Sequence, residues 1–294
     1  VSSRWNMGGN GALAASGGVV YVGGDFVGMF GQDRNGLAAI DVRGNLLPWN
    51  PGPGPVGGVA ILGSRLVALA FTVSAFDQAT GALAWEVPYD TAAWSIASDG
   101  SVVYLGGQFQ TAGGLPRAGL AALDENGAVT DWNPGIGESP GSPTWVKTLA
   151  VGGGLVYAGG WFTSVGGQPR MNLAAIDASG APTPWAPATN GPVMALAMTS
   201  DAVYVGGSMT DVNAVPRSGL AALDLAGGLK PWAPSLESPV SGTWVDALAA
   251  AGSTIYVGGL FASVNGVLTP GLAAVETSGA VQPGDRFAST AAAE

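Results

Sequence analysis

The chain contains no cysteine and no histidine. The first absence rules out a disulfide framework and thiol chemistry. The second removes Ser-His-Asp and Cys-His nucleophile sites, zinc sites of the usual kind and the commonest general base. An enzyme built on this sequence is left with carboxylates, arginine, tyrosine or a hard metal. Lysine occurs twice, at Lys147 and Lys230, and the 10 basic residues face 20 acidic ones for a net charge of −10. That balance argues against a nucleic-acid surface, since phosphate contact needs clustered Lys and Arg. No apolar run reaches the roughly 18 residues of a membrane span. There is no Asn-x-Ser/Thr sequon. No basic and apolar export signal opens the chain at Val1; the expectation is a signal already removed or an excised piece.

What is present is repetition. Glycine makes up 49 of 294 residues, and apolar residues, many of them Ala and Val, make up 47%. At this length about 75% of the unfolded surface can be buried, so a core needs no staples. Leu155–Asp177 reads as an apolar run, a Gly-Gly step, an aromatic, a polar loop ending in Arg, and a second apolar run ending in Asp. Close copies stand at Val20–Asp41, Val103–Asp124, Val203–Asp224 and Ile255–Glu276. Each unit has four apolar segments, a to d. Segment b carries Tyr-x-Gly-Gly, at Tyr21, Tyr104, Tyr157, Tyr204 and Tyr256. Segment c is Leu-Ala-Ala-Ile/Leu-Asp, and an Asp-x-x-Gly step joins it to segment d, which ends in Trp. Short β-branched and aromatic runs punctuated by Gly, Pro and Asn predict strands, and Asp-x-x-Gly is hairpin chemistry.

The signature tyrosines are 83, 53, 47 and 52 residues apart. The first gap holds a divergent unit, Gly58–Pro88, so the count is six. Four strands recurring about every 50 residues predict a β-propeller. The expectation is an all-β, six-bladed β-propeller with four antiparallel strands per blade and a single domain over 1–294. Its blades are 7–50, 56–88, 92–134, 145–187, 192–234 and 244–284. The last unit lacks its Trp, and the leading segment 1–6 carries a spare one, Trp5. That segment is expected to close the ring on the last blade. Residues 285–294 read as a tail or linker stub.

The run Tyr-Val-Gly-Gly-x-Phe, a loop, Leu-Ala-Ala-Ile-Asp-x-x-Gly and then Trp-Asn-Pro resembles the bacterial delta-60 repeat propellers over nearly the whole chain. The likeness is partial in the sixth unit, where Thr269 stands at the Arg position and Glu276 at the Asp position. It fails in the second, whose Ala75–Glu86 resembles a quinoprotein-type repeat with a Trp docked between blades. The resemblance implies export and a cell-surface setting. It implies no single activity.

Residues that recur are read as scaffold. Arg34, Arg117, Arg170 and Arg217 in the b–c loops form either an anion-binding ring or a set of local carbonyl clamps; their recurrence favours clamps. Asp41, Asp77, Asp124, Asp177 and Asp224, with Glu276, cap turns. Gly52–Gly57 fits G-x-G-x-x-G but leads into a strand, where a phosphate cradle needs a helix N-terminus. Residues that fail to recur are the candidates for function. Trp94, Trp145 and Trp244 begin segment a in three units only, so they either ring the channel mouth, stacking on a sugar or peptide, or plug the axis. Glu138 and Glu237 lie in the two long d–a loops and are the one conceivable glycosidase pair. The expected ligand-binding residues are therefore Trp94, Trp145, Trp244, Glu138 and Glu237, with no catalytic residue, no metal and no cofactor. The expected role is a non-catalytic binding or structural module, exported by a bacterium, that meets a carbohydrate or a protein segment. Alternatives are a self-assembling subunit of an extracellular filament or surface layer, and a carboxylate-based glycan hydrolase or lyase.

Overall fold

The computed structural model describes residues 11–137, 144–238 and 242–282. Among them every regular element is a β-strand, and there is no helix. The chain forms two compact units, Val1–Ile136 with Ala178–Gly180, and Gly137–Asp177 with Ala181–Glu294.

In the first unit the first repeat pairs Ala12–Ser16, Val19–Gly23 and Leu37–Asp41. The second pairs Gly58–Leu62, Arg65–Leu69, Val73–Asp77 and Leu83–Val87. The third pairs Ala93–Ser98, Val103–Gly107 and Leu120–Leu123. In the second unit the fourth repeat pairs Trp145–Gly152, Leu155–Trp161 and Leu173–Ile176. The fifth pairs Val193–Met198, Ala202–Gly207 and Leu220–Asp224. The sixth pairs Trp244–Ala251, Thr254–Leu260 and Leu272–Glu276. Every ladder is antiparallel, and strands a, b and c fall where the sequence places them. Strands b and c are apolar throughout because both of their faces are covered: Leu120, Ala121, Ala122 and Leu123 are fully buried.

The Gly-Gly step is a packing requirement. A Cβ on Gly159 would stand 2.5 Å from Val193 Cγ1 of the next repeat, and one on Gly206 equally close to Val245 Cγ1. The second glycine faces a bulge in its own strand a. A Cβ on Gly160 would lie 2.1 Å from the Trp145 carbonyl oxygen, beside the register shift at Val146/Thr148.

Among the described residues only the second repeat shows four paired strands. Elsewhere segment d makes a single bridge to strand c, as in Leu123↔Val129 and Leu223↔Leu229. Proline supplies part of the reason, since Pro48, Pro184 and Pro231 stand next in segment d and cannot donate to a ladder. The arginines supply the rest, by holding that segment with side chains. Arg34 donates to the Leu47 carbonyl at 2.6 Å and Arg117 to that of Thr130 at 2.6 Å. Arg170 donates to the Thr183 carbonyl, and Arg217 to that of Lys230 at 3.2 Å. The recurring arginines are therefore clamps, with guanidinium hydrogen bonds in place of a fourth ladder. The second repeat lacks the arginine and keeps the full strand.

Segment d ends in a tryptophan that works in two directions. Its ring meets the strand-b tyrosine of its own repeat edge to face, with centroids 5.2 Å apart for Tyr21–Trp49, 5.1 Å for Tyr104–Trp132, 5.2 Å for Tyr157–Trp185 and 5.0 Å for Tyr204–Trp232. Its indole N–H donates forward to the c–d turn of the following repeat. Trp49 reaches the Asp77 carbonyl at 2.9 Å, Trp85 that of Glu125 at 2.9 Å, Trp185 that of Asp224 at 3.1 Å and Trp232 that of Glu276 at 2.9 Å.

The turn itself is built by its acidic residue. Asp41 Oδ1 accepts from the Arg43 and Asn45 amides at 2.9 and 2.8 Å. Asp77 Oδ1 accepts from the Ala79 and Thr80 amides and from the Thr80 hydroxyl. The turn glycine has positive φ, 86° at Gly44 and 81° at Gly127. The Asn45 side chain holds the Asp41 carboxyl below the usual carboxylate range, and the Thr80 hydroxyl does the same for Asp77. Groups lowered on folding stabilise fully above their unfolded pKa, about 3.9, and lose that contribution as pH falls through the folded value. Scanning calorimetry is expected to give a Tm that is flat from pH 7 to about 5 and falls below about pH 4. A Tm that stays flat through that window contradicts the role assigned to the turn carboxylates.

Candidate functional site

The candidate residues sit where strand a bulges. In repeats three to six the second signature glycine pairs with one residue of strand a: Gly107 with Ala93, Gly160 with Val146, Gly207 with Val193, and Gly259 with Val245. The next residue of strand a is skipped by the ladder. A bulge of this kind re-aims one side chain and is common beside functional sites. The skipped residues are Trp94, Lys147, Met194 and Asp246.

This register corrects one reading of the sequence. Trp145 and Trp244 occupy the same position, one residue before the paired valine, opposite Trp161 and Leu260 respectively. Trp94 does not share it, because it follows Ala93 and is itself the bulge residue. The unpaired residue shifts the alignment, and no sequence signal marks it. Lys147, Met194 and Asp246 therefore join the candidate set, and sequence reasoning missed all three. The available signals were that Lys147 is one of two lysines and that none of these side chains recurs.

Trp94 and Trp145 are half-buried, and Trp244 is 42% exposed. The Trp244 indole N–H donates to Asp246 Oδ2 at 2.9 Å, so the carboxylate on the bulge fixes an exposed aromatic ring. Glu237 is placed elsewhere. It lies in a short strand, Leu236–Glu237, paired with Ser263–Val264. Its Oε2 accepts from Ser263 Oγ at 2.6 Å, while the residue remains exposed. Glu138 lies outside the described residues. Among the described residues no cluster of three or more His, Cys, Asp or Glu is placed to hold a metal ion, and no helix is long and apolar enough to cross a membrane.

The second unit also carries a groove of about 720 Å³ lined by Asp201, Tyr204, Lys230, Trp232, Asn265 and Ser278, among others. Lys230 Nζ closes part of it with an ion pair to Asp201 Oδ2 at 2.5 Å. The hydrogen bond between them raises the lysine and lowers the aspartate, so both stay charged across neutral pH. The pair satisfies the groove's two charges internally, and its surface exposure makes it worth little in stability.

No curated protein shows significant sequence similarity to the chain. Among solved structures, the crystal structure of BamB from Moraxella catarrhalis is 19% identical with a TM-score of 0.48, over 93% of this chain and 74% of that one. The computationally designed Ika8 protein is 16% identical with a TM-score of 0.55, over 92% and 81%, which is a likeness of fold alone. The quinoprotein-type likeness that the sequence confines to the second repeat extends much further, because the family model described as outer membrane protein assembly factor BamB matches residues 2–234. The chain belongs to that family of propeller-repeat proteins.

Proposed function

We propose that this protein is a non-catalytic protein-interaction module of the bacterial cell envelope. The family's description as an assembly factor supports an interaction role in that setting. The observation that carries the reading is Trp244, an exposed aromatic outside the repeat signature whose ring is fixed by Asp246. Tryptophan is one of the residues enriched at the energetic hot spots of protein interfaces. Lys147, Met194 and Asp246 occupy the equivalent bulges of strand a, the position whose side chain varies between repeats. A carbohydrate stacking on the same indole is the second ligand class, from the same exposed ring.

In this reading the six repeats are the blades of one ring with a delta-60-like signature, closed by residues 1–6, which lie outside the described residues. In such a ring Leu272, exposed at 43%, becomes interior as the equivalent Leu37, Leu120, Leu173 and Leu220 of strand c already are, and Leu13, exposed at 63%, as the equivalent Leu149 and Leu196 of strand a are. Self-assembly of subunits would use the same two apolar faces, and it is the alternative to closure.

Two experiments bear on this. A photocrosslinking residue at position 244 in intact cells is expected to capture a discrete polypeptide that the same residue at exposed position 43 does not. Equal capture at both positions, or selective glycan-array binding lost in Trp244→Ala, contradicts a protein ligand. Removal of residues 1–6 is expected to lower Tm by several degrees, and an unchanged Tm contradicts closure by that segment.

A further inference from the structure

Five of the b–c loops are two-residue hairpins. They pair Gly28–Met29 with Gln32–Asp33, Thr111–Ala112 with Leu115–Pro116, Ser164–Val165 with Gln168–Pro169, Asp211–Val212 with Val215–Pro216, and Ser263–Val264 with Val267–Leu268. In each, the amide that follows the second strand donates back across the hairpin: Arg34 to Val27, Arg117 to Gln110, Arg170 to Thr163, Arg217 to Thr210 and Thr269 to Ala262. In an antiparallel ladder that pattern makes the preceding residue a non-hydrogen-bonded position, whose own N–H and C=O point outward. Those outward residues are Asp33, Pro116, Pro169, Pro216 and Leu268.

Four of the five outward edges are blocked. Proline removes the N–H in three of them. The outward carbonyl is capped in four by the guanidinium of the next residue: Arg34 to Asp33 at 2.7 Å, Arg117 to Pro116 at 2.7 Å, Arg170 to Pro169 at 2.6 Å and Arg217 to Pro216 at 2.8 Å. Proline and inward-turned charge are the standard protections of a sheet edge. The sixth repeat has neither. Leu268 keeps its N–H, and Thr269 stands in place of the arginine and turns its hydroxyl to the Val267 carbonyl at 3.3 Å. Leu268 is 73% exposed. The other side of this hairpin is already occupied, because Leu236–Glu237 pairs with Ser263–Val264. Among the described residues the result is a three-stranded sheet with one closed edge and one open edge.

We propose that the edge at Leu268 takes an extended segment of a partner polypeptide as a fourth strand. The Leu268 N–H donates to one residue of that segment, its C=O accepts from the same residue, and its side chain packs on an apolar neighbour. An outward N–H and C=O on one extended residue is complementary to an extended backbone, which is the recognition mode of strand addition. The partner segment is apolar and not acidic. At a net charge of −10 per chain, self-repulsion opposes a second copy and an acidic strand alike. Leu268 and Trp244 lie on different strands, and either reading can fail without the other.

The test uses the full chain, labelled at its backbone amides, and a soluble peptide of alternating valine and threonine ending in two lysines. Titration is expected to shift the Leu268 amide and slow its exchange with solvent. Leu268→Pro and Thr269→Arg each restore what the other repeats carry, and each is expected to weaken binding at least tenfold with little change in Tm. Arg34 and Arg117 sit in the equivalent slot at 5% and 8% exposure, as Thr269 does at 2%. No binding by the unsubstituted chain, or affinity unchanged in both variants, overturns the proposal. So does a dimer of the unsubstituted chain that Leu268→Pro dissolves, because it assigns the edge to a second copy.

Discussion

The indole N–H of Trp49, Trp85, Trp185 and Trp232, donated to the turn carbonyl of the following repeat, is the contact on which the architecture depends. A propeller repeat cannot cover its own faces, so something must fix each sheet to its neighbour at a set distance. The tryptophan does this from two sides: its ring is held by the tyrosine of its own repeat, and its N–H reads the neighbour's backbone. The receiving turn is shaped to match. A Cβ on Gly127 would stand 2.7 Å from the Trp85 ring, and one on Gly227 3.3 Å from Trp185 Cδ1. The turn glycine thus answers both a positive φ and the indole lying against it. The arginine clamp follows from the same arrangement: segment d leaves its sheet to place the indole, and a guanidinium holds the departing strand.

Most of the recurring chemistry is spent on this frame, and the departures from it are informative. The second repeat gives up the arginine and regains a ladder. The sixth gives up the arginine and the tryptophan, and its hairpin edge opens at Leu268. The bulge of strand a is common to four repeats, yet the residue it presents changes each time among Trp, Lys, Met and Asp. A frame that repeats while one outward position varies is how a scaffold carries an interaction surface.

Strands a, b and c were legible because their hydrophobic runs and glycine punctuation recur with one spacing. The turn role of Asp41 and the clamp role of Arg117 were legible for the same reason. The register of strand a was not. A bulge adds one residue without changing composition, so Trp94 looked equivalent to Trp145 and Trp244 although it lies two residues further on. The weakness of segment d was partly visible in Pro48, Pro184 and Pro231, but the guanidinium bonds that replace its ladder depend on contacts 13 residues apart. The open edge at Leu268 was visible only as an oddity, Thr269 at the Arg position. Its meaning needed the direction of a backbone N–H, which a sequence does not encode by itself.

Equilibrium urea unfolding of Trp185→Phe tests the lock between repeats most directly. Phenylalanine keeps an aromatic ring against Tyr157 but cannot donate to the Asp224 carbonyl. The expected loss is about 1 kcal/mol, the net contribution of one hydrogen bond, because the Asp224 carbonyl still accepts from the Gly227 amide, with faster amide exchange at the turn Asp224–Gly227. A variant as stable as the parent to within about 0.5 kcal/mol, the usual range of neutral surface substitutions, with unchanged exchange at that turn, would contradict the account.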